Sequence, residues 1–155
     1  MIDVRPAGPD DAEELMALRA VMLSAMNGSP APAGAWQATG ADLLRSSLGK
    51  TTAAFVVDRP DGPGLAACAV GQVDQRLPGP GDPTGLRGYV YNVATLPAYR
   101  RRGFSRACMT ALLEWYAELG VGAIDLRASP EGEPLYHSLG FRRTSSPAMR
   151  LITHA

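Results

Sequence analysis

The most constraining stretch of the chain is "YVYNVATLPAYRRRGFSRACMTALLEWYAELG", residues 89–120. It opens as a strand, "YVYNVAT", rich in aromatic and β-branched residues. Pro97 lacks the N–H a ladder needs, so the strand ends before it. Phe104, Cys108, Ala111, Leu112, Trp115 and Leu119 then fall at helical spacing, and Gly120 supplies a C-terminal stop. A further strand, "AIDLRA", follows. This strand–helix–strand unit commits the chain to a mixed α/β or α+β fold.

The flanking segments fit around that unit. Residues 2–5 alternate as a short strand. "AGPDDAEELMALRAVMLSAM" reads as a helix with Pro9 and several acids at its start and a stripe of Ala12, Leu15, Leu18, Met22 and Met26. After the breaker "NGSPAPAGAW", a short helix is expected over residues 38–48. "TTAAFVVD" and "GLAACAVGQVD", joined by the turn "RPDGPG", form an antiparallel hairpin; "QRLPGPGDPTGLRG" is a loop. "EGEPLYHSLG" is a short helix, and "FRRTSS" and "AMRLI" close the chain as strand-like pieces. The expected order is β-α-α-β-β-β-α-β-α-β, in a single domain spanning residues 1–155, with no repeats and no linker long enough to divide two domains.

The turn before the central helix carries the chemistry. The first amides of a helix have no internal partner and sit at the positive end of its dipole, a geometry that holds phosphate oxygens. Gly103 removes the side chain that would bar close approach, Ser105 is small, and Arg100, Arg101, Arg102 and Arg106 add full charges. The chain has a single lysine, Lys50, so an anion site here is built from arginine and backbone. Two other phosphate loops are excluded: G-x-x-x-x-G-K-[ST] is absent, and "RGFSRA" does not supply G-x-G-x-x-G.

Charge bounds the partners. Fifteen basic residues balance 15 acidic ones, and no aromatic platform flanks the arginines, so nucleic acid is not expected as a partner. Cys68 and Cys108 stand apart in apolar runs, and His137 and His154 are the only histidines, so buried thiols rather than a metal site are expected. The N-terminus does not resemble a signal peptide and no apolar run approaches a membrane span; a soluble, cytoplasmic protein is the expectation.

"NVATLPAYRRRGFSRACMTALLEWYAELG" resembles the signature region of the GNAT superfamily of acyl-CoA-dependent N-acetyltransferases. That family's motif, Q/R-x-x-G-x-G/A at the start of the helix after the fourth strand, falls on Arg100, Gly103 and Ser105, with Ser in place of Gly or Ala. "LRASPEGEPLYHSLGF" resembles the family's later region, where a strand leads to a short helix bearing Leu-Tyr and then Gly-Phe. The resemblance covers residues 89–141 and implies a mixed, mostly antiparallel central sheet with a splayed fourth strand and flanking helices.

It also implies roles. The pyrophosphate of acetyl-CoA, the cosubstrate, would lie on the backbone of Arg101, Arg102, Gly103, Phe104, Ser105 and Arg106. The pantetheine arm would follow Val93, Ala94 and Thr95, with the Val93 N–H orienting the acetyl carbonyl. Tyr136 would donate a proton to the departing thiolate. Some family members carry a glutamate base on the fourth strand; "YVYNV" has none, and its Tyr89, Tyr91 and Asn92 either pack or bind substrate, so a water chain, direct loss of the proton to solvent, or Asp74 are the alternatives. His137 neighbours Tyr136 but is expected at the surface. The acceptor, a small-molecule or peptide amine, would bind near residues 27–36 and 75–86, where Trp36 either caps it or anchors its own loop. Pairing through strand edges near the C-terminus would make a homodimer. The competing reading is a catalytically silent acyl-CoA-binding sensor or interaction domain.

Overall fold

The computed structural model describes residues 1–154. Its strands are β1 (Arg5–Pro6), β2 (Thr52–Asp58), β3 (Leu65–Gln75), β4 (Leu86–Thr95) and β5 (Ala123–Leu126), and they form one sheet in that order. Neighbours pair antiparallel as far as β4, whereas β4 and β5 run parallel. A parallel pair needs a crossover, and helix α3 (Phe104–Glu118) provides it. Helices α1 (Ala12–Asn27) and α2 (Ala35–Ser47) pack on the opposite face; α4 (Glu133–Ser138) follows β5.

Strand periodicity divides the core in two. On β2, Ala54 and Val56 face α1 and α2, while Ala53 and Val57 face α3. On β3, Cys68 and Val70 join the first cluster and Ala67 and Ala69 the second. With helices on both sides, residues 65–71 are all buried, which is why "LAACAVG" reads as a continuous apolar run.

Two irregularities open β4. Val70 pairs with Asn92 but Gly71 with Val90, so Tyr91 is an extra residue on β4, a bulge that bends the strand. Pairing with β5 begins at Arg87–Ala123 and stops at Val90–Leu126. Beyond that point β4 and β5 part, and residues 91–95 of β4 present an unpaired edge.

Tyr116 of α3 locks the sheet beside the bulge. Its hydroxyl is shared by the carbonyls of Gln72 (3.0 Å) and Tyr89 (3.2 Å). A Cβ at Gly71 would lie 2.2 Å from that hydroxyl, and one at Gly88 2.8 Å from the ring. The two glycines make room for one tyrosine.

The structure departs from the sequence expectation in four places. The first strand is Arg5–Pro6 rather than residues 2–5; Ile2 and Val4 instead pack against the core under α3. The second helix starts earlier, at Ala35, where Gln37 caps the Gly34 N–H. The loop after β3 is shorter than "QRLPGPGDPTGLRG", because β3 runs on to Gln75 and β4 begins at Leu86. "FRRTSS" and "AMRLI" form no strands: residues 141–154 carry no ladder bonds, and Met149, Leu151 and Ile152 are exposed. The alternation in those segments is real but finds no strand edge, since Arg143 is drawn to Glu133 on α4 instead.

Candidate active site

The parting of β4 from β5 opens a cleft of about 840 Å³. One wall is β4 at Val93, Ala94 and Thr95; the floor is the turn into α3; the far wall is the loop at Ser129–Gly132 with Leu135 and Tyr136. Val21, Met22, Ala25 and Met26 of α1 close it from the side.

The direction of β4's amides follows from the ladder. Leu96 donates to the Ala66 carbonyl (2.9 Å), so its N–H points at β3. Successive residues alternate, so Ala94 and Asn92 also face β3, and Val93 and Thr95 face the open edge. Ala94, paired with Cys68, therefore contributes its side of the wall but not its N–H. Arg100 Nε donates to the Thr95 carbonyl (3.1 Å). The open-edge N–H of Val93 remains available to a ligand.

The turn is shaped for an anion. Arg101 (φ 64°) and Gly103 (φ 82°) both adopt left-handed backbone, which folds successive amides into a concavity. Among the described residues, the N–H groups of Arg101, Arg102 and Gly103 find no backbone acceptor, and no side chain caps α3. A Cβ at Gly103 would meet only Ile2 Cδ1, at 3.5 Å, so the space before the helix is clear. Ser105 Oγ and Thr95 Oγ1 share a hydrogen bond of 2.6 Å that ties the helix start to the strand end. This gives the serine of the motif's last position a structural task that Gly or Ala could not perform.

The arginines divide. Arg100 and Arg101 line the cleft with Gly103, Phe104 and Ser105. Arg102 lies over the Tyr99 ring, 5.4 Å from its centroid, and Arg106 donates to Ser138 Oγ (2.8 Å), so neither side chain lines the cleft. Their backbones stay in the turn and first helical coil. Tyr99 in turn donates to Asp61, fastening the turn to the β2–β3 connection.

Tyr136 stands across the cleft from the β4 edge. Its ring packs edge-on against Phe141, with centroids 5.9 Å apart, and burial raises its pKa. Its hydroxyl makes no hydrogen bond among the described residues. His137 instead meets Glu133 (2.9 Å) on the outer surface. Asp74 receives a hydrogen bond from Gln72 Nε2 (3.2 Å) and lines neither cleft.

A second cleft, about 610 Å³, continues along β4 on the α1–α2 side. Trp36, Tyr89, Tyr91 and Asn92 line it, with Arg19. Trp36 both lines this cleft and anchors its loop, its Nε1 donating to the Pro32 carbonyl (2.9 Å). Residues 75–86 do not reach it. Sequence reasoning missed Arg19 and the α1 wall. A signal was present: Arg19 falls between Leu15 and Met22 at helical spacing, a charge inside the apolar stripe.

Both buried thiols are inert. Cys68 and Cys108 are fully enclosed, and burial pushes each pKa up to about 12. Among the described residues no cluster of His, Cys, Asp or Glu could hold a metal ion, and no helix is long and apolar enough to cross a membrane.

Comparisons with known proteins bear on this geometry. Residues 21–141 match the family model described as the acetyltransferase (GNAT) family. No sequence among curated proteins matches the chain. A predicted acetyltransferase of Clostridium acetobutylicum, crystallised with acetyl-CoA, is similar in fold: TM-score 0.83 at 22% identity, covering 97% of this chain and 96% of that one. A GCN5-related N-acetyltransferase of Ralstonia eutropha gives 0.76 at 24% identity, covering 97% and 99%. The aminoglycoside acetyltransferase AAC(6')-Iy, bound to a bisubstrate analogue joining CoA to acetylneamine, gives 0.76 at 17%, covering 99% of each. With a bulged and splayed β4, an uncapped helix start beneath it and a family match across most of its length, the chain belongs to the GNAT family of acetyltransferases and is an acyltransferase of that fold.

Proposed function

We propose that the protein transfers an acetyl group from acetyl-CoA to a primary amine of a small molecule or peptide, by direct attack within a ternary complex. The observation that carries this reading is the convergence on one cleft of three features: bare amides at the α3 start, the open edge of β4, and the unpartnered Tyr136 hydroxyl. The backbone from Arg101 to Arg106 would hold the pyrophosphate, with Arg100 and Arg101 adding charge at the rim. Val93 would donate its N–H to the thioester carbonyl, whose oxygen gains negative charge as the amine adds. As the tetrahedral adduct collapses, the C–S bond breaks, and Tyr136 gives its proton to the thiolate and regains one from solvent. The attacking nitrogen loses a proton to solvent through the second cleft, whose polar lining at Tyr89, Tyr91 and Asn92 offers hydrogen-bonding groups but no carboxylate among the described residues.

The test is calorimetric titration with acetyl-CoA, followed by thiol release with a panel of amines. The expected result is binding, amine-dependent thiol release, and a fall of about a hundredfold in kcat for Tyr136→Phe with acetyl-CoA affinity preserved. Binding without turnover on any amine would favour the silent acyl-CoA-binding domain. No binding would remove both readings.

A further inference from the structure

Three buried side-chain polar atoms have no hydrogen-bond partner among the described residues: Arg19 Nη1, Arg87 Nε and Asn92 Oδ1. Arg87 is otherwise engaged, with Asp82 and Asp125 at 3.7 and 3.4 Å. The other two line the same second cleft. Among the described residues Arg19 makes no ion pair, and it is the one charged residue lining that cleft. Buried polar groups are almost always satisfied, because an unmet one costs free energy and a buried unpaired charge costs more. Arg19, half-buried as a residue, thus brings an unpaired cation to a cleft otherwise lined by uncharged groups.

We propose that the second cleft selects an amine that also bears a carboxylate, with Arg19 binding the carboxylate. This rests on the acetyl-transfer reading above, which makes that cleft the acceptor site. Arginine is the side chain suited to the role, since its planar fork matches two carboxylate oxygens and its charge persists at every working pH. Arg19 lines the cleft together with Tyr89 and Tyr91. Leu15, Leu23, Leu43 and Trp36 line the remainder, which suits an apolar side chain on the ligand. The acceptor class is therefore an apolar amino acid or a close analogue.

Matched pairs of amino acid and primary amide, such as leucine with leucinamide and phenylalanine with phenylalaninamide, differ in the carboxylate alone. With saturating acetyl-CoA, kcat/KM should favour the acid by about ten- to a hundredfold, with the difference in KM. The amide's amine is more readily neutral, so its intrinsic reactivity works against this result. Arg19→Gln should bring the acid-to-amide ratio towards one; Arg19→Lys, which keeps the charge but loses the fork, should retain part of it. The ratio is internal to each protein, so a partly folded variant cannot imitate the effect, and the wild-type ratio stands without any variant. An amide used as well as its acid by the wild type overturns the proposal, as does a preference that survives Arg19→Gln. Failure of acetyl transfer itself looks different: no thiol release with acid or amide. The same pairs titrated into CoA-loaded protein then decide the matter, with an acid preference in Kd supporting the carboxylate site and equal or absent binding overturning it.

Discussion

The starts of α1 and α3 are the same physical object treated in opposite ways. Each presents first-turn amides and the positive end of a helix dipole. Before α1, Asp11 takes the Gly8 N–H (2.9 Å) and is gripped by Arg5, which also holds Asp58. Asp10, Glu13 and Glu14 crowd the same region with negative charge. Before α3 there is no acid and no cap, only arginines and a glycine. One helix start is closed by the turn before it, whose Gly8 and Pro9 carbonyls take the Asp11 and Ala12 amides, is surrounded by carboxylates, and serves stability. The other keeps its amides bare, a local cost that an anionic ligand can offset.

The sharpest way to break this contrast is to make the second start resemble the first. Gly103→Asp places a carboxylate where α3 begins, at a φ that aspartate tolerates better than most residues. Acetyl-CoA affinity should fall by on the order of a hundredfold in calorimetry, through repulsion and occupation of the amides. Stability should change by less than about 1 kcal/mol, since the gained cap offsets the left-handed backbone.

Next in size is an effect at the other end of α3, where the helix is locked rather than open. Gly71→Ala drives a methyl group into the Tyr116 hydroxyl, and overpacking of this kind costs about 1–3 kcal/mol in denaturant unfolding. Tyr116→Phe should be milder, about 1 kcal/mol, because the ring still fills its slot.

Asp11→Ala removes the acceptor of the Gly8 N–H and one partner of Arg5 before α1. We expect a loss of about 1–2 kcal/mol at neutral pH with acetyl-CoA affinity unchanged, the reverse of Gly103→Asp. The smallest effect is a pH dependence. Hydrogen bonds from Arg5 hold the Asp11 and Asp58 carboxyls below their usual 3.8. Their contribution is complete above about that pH and is lost as pH falls through the lowered folded values. Arg143 first, and His137 second, hold Glu133 at about 2, so its contribution is full above its ordinary 4.5 and is lost as pH falls towards 2. The thermal unfolding temperature should therefore decline below about pH 4, and more gently in Asp11→Ala.

The central unit was legible in the sequence because each of its signals is local. Pro97 ends a strand, Gly103 opens a turn, and the stripe from Phe104 to Leu119 repeats every three or four residues. The rest depended on contacts between distant segments. Nothing local to "YVYNV" announces that Tyr91 bulges; that requires knowing which residue of β3 stands opposite. The failure of "FRRTSS" and "AMRLI" to form strands has the same origin, since alternation proposes a strand but only a free edge makes one. Within the site, the turn was readable and the division of its arginines was not. Whether Arg102 lies in the cleft or over Tyr99 is decided by a side-chain contact that spacing does not encode. Arg19 was readable in principle, being a charge on an apolar helix face.

The enclosure of the two cysteines has a practical consequence. Coenzyme A released by turnover carries a free sulfhydryl, and colorimetric reagents that count such groups usually also count those of the enzyme. Here both native thiols have zero exposure, so the folded protein should contribute no background colour. A signal rising before any amine is added would then report unfolding rather than catalysis. A single cysteine introduced at the surface would likewise be the sole point of attachment for a probe.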